Sequence, residues 1–149
     1  MLRALPPTRS FRVLLIDDNP YGLVVRKAIL EQAGYEVTAA GTPETGLASF
    51  LDGTWDVVIT DYRMPGMTGA QVIERMRALQ PGVPIILVSS VAEVLGLNQS
   101  NTGADVVIPK TANEGQHMLR AVARLLMPRK PAARHRHVAH AAGATAVAM

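Results

Sequence analysis

Residues 13–20 read Val13-Leu14-Leu15-Ile16-Asp17-Asp18-Asn19-Pro20. The apolar run has no polar alternation, so it predicts a strand covered on both faces, as in a parallel sheet sandwiched by helices. Two acids end the run. Asn19-Pro20 then places a helix N-cap before a proline at the first helical position, where the missing N–H costs nothing. A doubly buried strand that passes directly into a helix is the opening unit of an alternating β/α chain.

The same kind of run recurs at Val57-Val58-Ile59, Ile85-Ile86-Leu87-Val88 and Val106-Val107-Ile108. A weaker fifth, Tyr35 to Ala39, suits a sheet edge. Segments of helical length separate them, and several begin with start signals. Thr42-Pro43 repeats the cap-then-proline pattern, while Thr68-Gly-Ala-Gln71, Ser90-Val-Ala-Glu93 and Thr111-Ala-Asn-Glu114 fit the capping box. The predicted order is β1 11–16, α1 20–33, β2 35–39, α2 43–52, β3 55–60, α3 69–79, β4 84–88, α4 91–100, β5 105–108 and α5 112–127. Strict alternation implies a doubly wound α/β fold. The least secure helix is α4, because Gly96, Asn98, Ser100 and Asn101 are poor helix formers.

With 149 residues and 48% hydrophobic content, one domain with a real core is expected. No run of about 18 apolar residues is present, and Arg3, Pro6, Pro7 and Arg9 stand where a signal peptide needs its apolar stretch. A cytoplasmic protein without membrane partners is therefore expected. The lack of cysteine excludes disulfides, thiolate metal sites and a cysteine nucleophile. The net charge of +3 is unevenly placed: Arg129, Lys130, Arg134 and Arg136 follow Met127 with no acid among them, which leaves residues 1–127 at −1. Direct nucleic-acid binding is not expected of such a domain. Residues 1–10 are assigned as an N-terminal extension, 11–127 as the domain, and 128–149 as a basic, disordered tail lacking a foldable apolar face.

In an open parallel α/β sheet the ligand site lies outside the carboxyl ends of the strands. Asp17 and Asp18 follow β1, Asp61 follows β3, Ser89 follows β4 and Lys110 stands just past β5. Crowded carboxylates need a cation, and Mg²⁺ takes one or two of them together with waters and phosphate oxygens. A carboxylate is also a competent nucleophile towards phosphorus, and phosphoryl transfer chiefly needs positioning and charge neutralisation.

With those residues in place, the chain resembles the response-regulator receiver family over roughly residues 11–127. The matching text is residues 13–20, Gly34-Tyr-Glu-Val37, Asp61-Tyr-Arg-Met-Pro-Gly-Met-Thr-Gly69, Pro84-Ile-Ile-Leu-Val-Ser89, and Gly103-Ala-Asp105 ahead of Lys110. The resemblance implies a flavodoxin-like, five-stranded sheet of order 2-1-3-4-5 with helices on both faces. It implies Asp61 as phospho-acceptor, Mg²⁺ held by Asp17, Asp18, Asp61 and the backbone carbonyl of Arg63, and Ser89 and Lys110 on the phosphoryl group. It also implies a sensor histidine kinase or histidine phosphotransfer protein as donor, a protein target downstream of the α4–β5–α5 surface, and no separate substrate turnover. Two departures stand out. The family usually has proline directly after the lysine, whereas here Pro109 precedes Lys110 and Thr111 follows, so a trans Lys110–Thr111 link is expected. Val107 stands where many receivers carry an aromatic switch residue.

Rival readings are a small phosphatase with Asp17 as nucleophile and a phosphorylation-independent interaction module. The phosphatase pattern wants a second acid two residues after the first, where Asn19 stands. A dinucleotide site fails for want of a glycine-rich turn after β1. Ser90, opening a capping box, is assigned a structural role, Met64 and Met67 are assigned to loop packing, and His117 to the surface of α5. His135, His137 and His140 sit in the tail with no acid or thiol near them, which does not suggest a metal site.

Overall fold

The computed structural model describes residues 10–127 together with Pro131 and Ala132. The expectations for the N-terminal extension and for the basic tail with its histidines fall almost wholly outside those residues. Five parallel strands, β1 (Arg12–Ile16), β2 (Glu36–Ala40), β3 (Val57–Asp61), β4 (Ile85–Ser89) and β5 (Val106–Pro109), pair in the order β2-β1-β3-β4-β5. The connecting helices are α1 (Pro20–Gln32), α2 (Pro43–Asp52), α3 (Gly69–Leu79), α4 (Gln99–Thr102) and α5 (Glu114–Leu126). This is the flavodoxin-like order that the resemblance implied. Among the described residues no helix is long and apolar enough to cross a membrane.

The unbroken apolar runs divide by the two-residue period of a strand into two cores. Val13, Leu15, Ile59, Ile86 and Val88 face Leu30 of α1 and Met118 and Val122 of α5. Leu14, Ile16, Val58, Ile85 and Leu87 face Phe50, Val72, Ile73 and Met76 from α2 and α3. Each fully buried side chain of this size contributes roughly 1.5–3 kcal/mol. The central strands are thereby locked in register, and their carboxyl ends come level with one another. Met64 belongs to the second core and Met67 packs against it, in line with the packing role read for both.

Helix α3 begins with the expected box: Gln71 N–H donates to Thr68 Oγ1 at 3.2 Å, and Thr68 N–H to Gln71 Oε1 at 2.8 Å. Two other boxes do not form. The segment expected to be a ten-residue α4 instead makes hydrogen-bonded turns and is stopped at Gly96. There the Leu97 N–H reaches Ala92 O at 2.8 Å and the Gly96 N–H reaches Glu93 O at 3.2 Å. That bond pair, with Gly96 at φ 62°, is the Schellman stop, which closes a helix as soon as it has formed one turn. Only Gln99–Thr102 is helical, restarted by Asn98 capping Asn101 N–H at 2.9 Å. Ser90 is exposed and caps nothing; Ser89 Oγ accepts the Val91 N–H at 3.0 Å instead. At α5 the cap is Asn113, without a side-chain bond, because Glu114 does not turn back to Thr111 but pairs with Arg26.

Candidate functional site

The three acids meet at the carboxyl edge of β1 and β3. Asp17 and Asp18 lie just past β1, Asp61 is the last residue of β3, and one carboxylate oxygen from each lies within 4.8 Å of the others. Asp17 is 1% and Asp61 7% exposed, while Asp18 is the more open of the three. Neither Asp17 nor Asp18 is the N-cap of α1: Asn19 Oδ1 takes that role, accepting Tyr21 N–H at 3.0 Å and Gly22 N–H at 3.3 Å. Asp61 Oδ1 accepts the Tyr62 N–H at 2.8 Å and its Oδ2 receives Lys110 Nζ at 3.1 Å.

Lys110 reaches Asp61 although proline precedes it rather than follows. Its backbone N–H donates to Ser89 O at 3.0 Å, extending the β4–β5 ladder past Pro109 and aiming the side chain back along the sheet edge. Ser89 is 1% exposed at the end of β4. Arg63 has an exposed side chain and, with Asp18, Tyr62 and Met64, lines a shallow depression beside the acids. His117 is exposed on α5, as expected for a surface residue.

Burial pushes the Asp61 carboxyl up to about 6, against the pull of the Lys110 ammonium and with a further push from Asp17. A site of this kind stores unfavourable charge. Among the described residues, three carboxylates outnumber the two cations that touch them, Lys110 and Arg26. With their oxygens already gathered, the donor set fits a hard divalent ion bound through oxygen.

The feature that the sequence alone did not reveal is Arg26. It lies on the core-facing side of α1, 6% exposed, and donates through Nη1 to Asp17 Oδ2 and through Nε to Glu114 Oε2 on α5. Burial works against the guanidinium charge, but Glu114 and then Asp17 overcome it and hold the group above its ordinary pKa. A signal was present: Leu23, Arg26 and Leu30 follow helical spacing, so a cation stands in an apolar stripe. Such a residue needs a buried partner.

A phosphoryl-scale acid site with an opposed lysine, on the carboxyl edge of a 2-1-3-4-5 sheet, defines a receiver-type module. The chain belongs to the response regulator receiver domain family, which it matches over residues 13–123. It is 35% identical over 121 residues to the sensor protein GacS of Pseudomonas syringae pv. syringae, covering 74% of this chain and 13% of that protein. The chain spans only 6–13% of the length of the first curated relatives it matches. Among solved structures it is similar to the response regulator protein TrrA of Thermotoga maritima in complex with Mg²⁺-BeF, at a TM-score of 0.72 and 31% identity, covering 78% of this chain and 99% of that one. It is similar also to a structure of histidine kinase ThkA in complex with TrrA, with a TM-score of 0.70 and 31% identity over 78% of this chain and 98% of that one.

Proposed function

We propose that this chain is the phospho-accepting partner in a two-component relay, taking a phosphoryl group on Asp61 from the phosphohistidine of a sensor kinase or a histidine phosphotransfer protein. The observation that carries this is Asp61 itself, 3.1 Å from Lys110 Nζ and grouped with Asp17 and Asp18. A carboxylate oxygen of Asp61 forms the new bond to phosphorus while the P–N bond of the donor breaks, and the released imidazole takes up a proton. Lys110 stays beside the acyl phosphate and balances its charge, and Ser89, at the neighbouring strand end, is assigned to a phosphoryl oxygen. Asp17, Asp18, Asp61 and the carbonyl of Arg63 would hold Mg²⁺, which supplies neutralisation of the phosphoryl charge when bound.

Kinship with a kinase-bound regulator and with a sensor protein supports a kinase as donor. Val94 and Leu95, exposed on the turns that follow Ser89, support a protein as the downstream target. The phosphatase alternative is disfavoured by Asn19, which stands where its second acid is required and is committed to capping α1 through Oδ1. The test is Mg²⁺-dependent labelling by acetyl phosphate or a kinase. Wild type should take up label close to stoichiometrically and Asp61→Asn none; stoichiometric labelling of Asp61→Asn would refute the assignment.

A further inference from the structure

Arg26 is a cation built into an acid site that already has its lysine. Three independent features seat it. Its Nη1 contacts Asp17 Oδ2, with side-chain exposures of 8% and 1%. Its Nε is held by Glu114 in the first turn of α5. The third is a space: a Cβ on Gly22 would stand 2.8 Å from Asp17 Oδ2 and 3.0 Å from Arg26 Nη1, so any other residue there would press on the contact. Glycine in the second half of the first helical turn costs about 1 kcal/mol relative to alanine, and here the missing side chain is what admits the guanidinium.

We infer that Arg26 is a resident counter-cation of the acid site, competing with a divalent ion for Asp17 and thereby setting the Mg²⁺ affinity of this receiver low. The inference rests on the metal assignment made above. Shared between a guanidinium and a metal with its hydration shell, the single negative charge of Asp17 is divided between two cations. Like charges one carboxylate apart also repel at the reduced dielectric of a buried site. Loading with metal must therefore loosen or displace Arg26. A groove between α1 and the β5–α5 loop, lined by Val25, Arg26, Lys110, Thr111 and Glu114, gives the guanidinium an exit towards Glu114 and solvent. Arg26 is thus a positioning residue for Asp17 and an affinity determinant, outside the set that touches the phosphoryl group.

The test is titration of the full chain with MgCl₂ alone, without phosphoryl donor, followed by amide chemical shifts of residues 17–18 and 61–63. Arg26→Met, which keeps an apolar stem in the helix, should tighten Mg²⁺ binding at least about tenfold, the change Coulomb's law gives for a unit charge about 6 Å from a divalent ion even at the dielectric of bulk water. Arg26→Gln removes the charge while keeping a polar amide on the same stem; it should tighten binding in the same direction by a similar factor. Lys27→Met removes a cation from the same helix, one that pairs with Glu31 at 2.7 Å instead, and should leave the affinity unchanged. A merely structural role for Arg26 predicts weaker binding or none on its loss. The proposal is overturned if folded Arg26→Met binds Mg²⁺ no tighter than wild type, or if Lys27→Met tightens it equally. Should Arg26→Met fail to fold, an unchanged or weaker affinity in folded Arg26→Gln overturns it. Failure of the phospho-acceptor reading shows separately, as absence of label on wild type while the Mg²⁺ effect of Arg26 persists.

Discussion

Replacing Asp61 by asparagine should make the metal-free domain more stable at neutral pH. Asparagine resembles the protonated acid: its single amide oxygen keeps one of the two bonds, from Lys110 or from the Tyr62 N–H, and it carries no charge into a position only 7% exposed. In the folded state the Asp61 carboxyl is raised from 3.8 to about 6, chiefly by burial. A carboxyl with a raised folded pKa binds its proton more tightly folded than unfolded. Its cost to stability is therefore absent below about pH 4, grows between pH 4 and 6, and is complete above pH 6. At about 1.4 kcal/mol per pH unit the full cost is about 3 kcal/mol, a ceiling because the site relaxes around its charges. For a domain of this size that corresponds to a gain of up to roughly 10 °C in melting temperature. Thermal unfolding of both proteins in EDTA, from pH 4 to 8, reads it directly. The Asp61→Asn advantage should be near zero at pH 4, open through pH 6 and level off above it; added MgCl₂ should stabilise wild type and narrow the gap. An asparagine variant less stable than wild type at pH 7.5, or a gap that does not close on acidification, would show that burial is not what governs this carboxyl.

Two further outcomes are expected beside the labelling and Mg²⁺ titrations. Gly69→Ala should destabilise the domain by at least about 3 kcal/mol, because the new Cβ would stand 2.2 Å from Asp61 O and 2.7 Å from Leu87 Cδ1, with no flexible backbone atom to yield; an alanine variant within 1 °C of wild type by calorimetry would contradict that packing. Beryllofluoride with Mg²⁺, standing in for the phosphoryl group, should change amide hydrogen exchange mainly in residues 89–103 and little in 105–108. Val107 has no ring to swing, and the 91–97 turns rest on few hydrogen bonds. A response confined to 105–108 would place the route through the β5 strand instead.

Much of the architecture was written locally. Runs such as Val13-Leu14-Leu15-Ile16 and Ile85-Ile86-Leu87-Val88 need cover on both faces whatever surrounds them, so a parallel sheet followed from short stretches of sequence. Asp17, Asp18, Asp61, Ser89 and Lys110 were legible as site candidates because strand ends in such a sheet share one edge, and the acids do converge there. Capping at Thr68–Gln71 was legible because it is a bond between neighbours three residues apart in the chain. Where competition between distant partners decided, local patterns misled. Glu114 has the spacing to close a box with Thr111, yet its carboxylate goes to Arg26, a full charge 88 positions away, which outweighs a backbone N–H that water also satisfies. Ser90 and Glu93 have the box spacing too, but Ser89 takes the Val91 N–H and Gly96 ends the turn before a helix of ten residues can develop. Arg26 itself joins Asp17 only because α1 folds back over β1 and α5 packs beside it. Short-range hydrogen bonds and apolar periodicity are encoded in neighbouring residues; the pairing of buried charges depends on which elements the completed fold sets side by side.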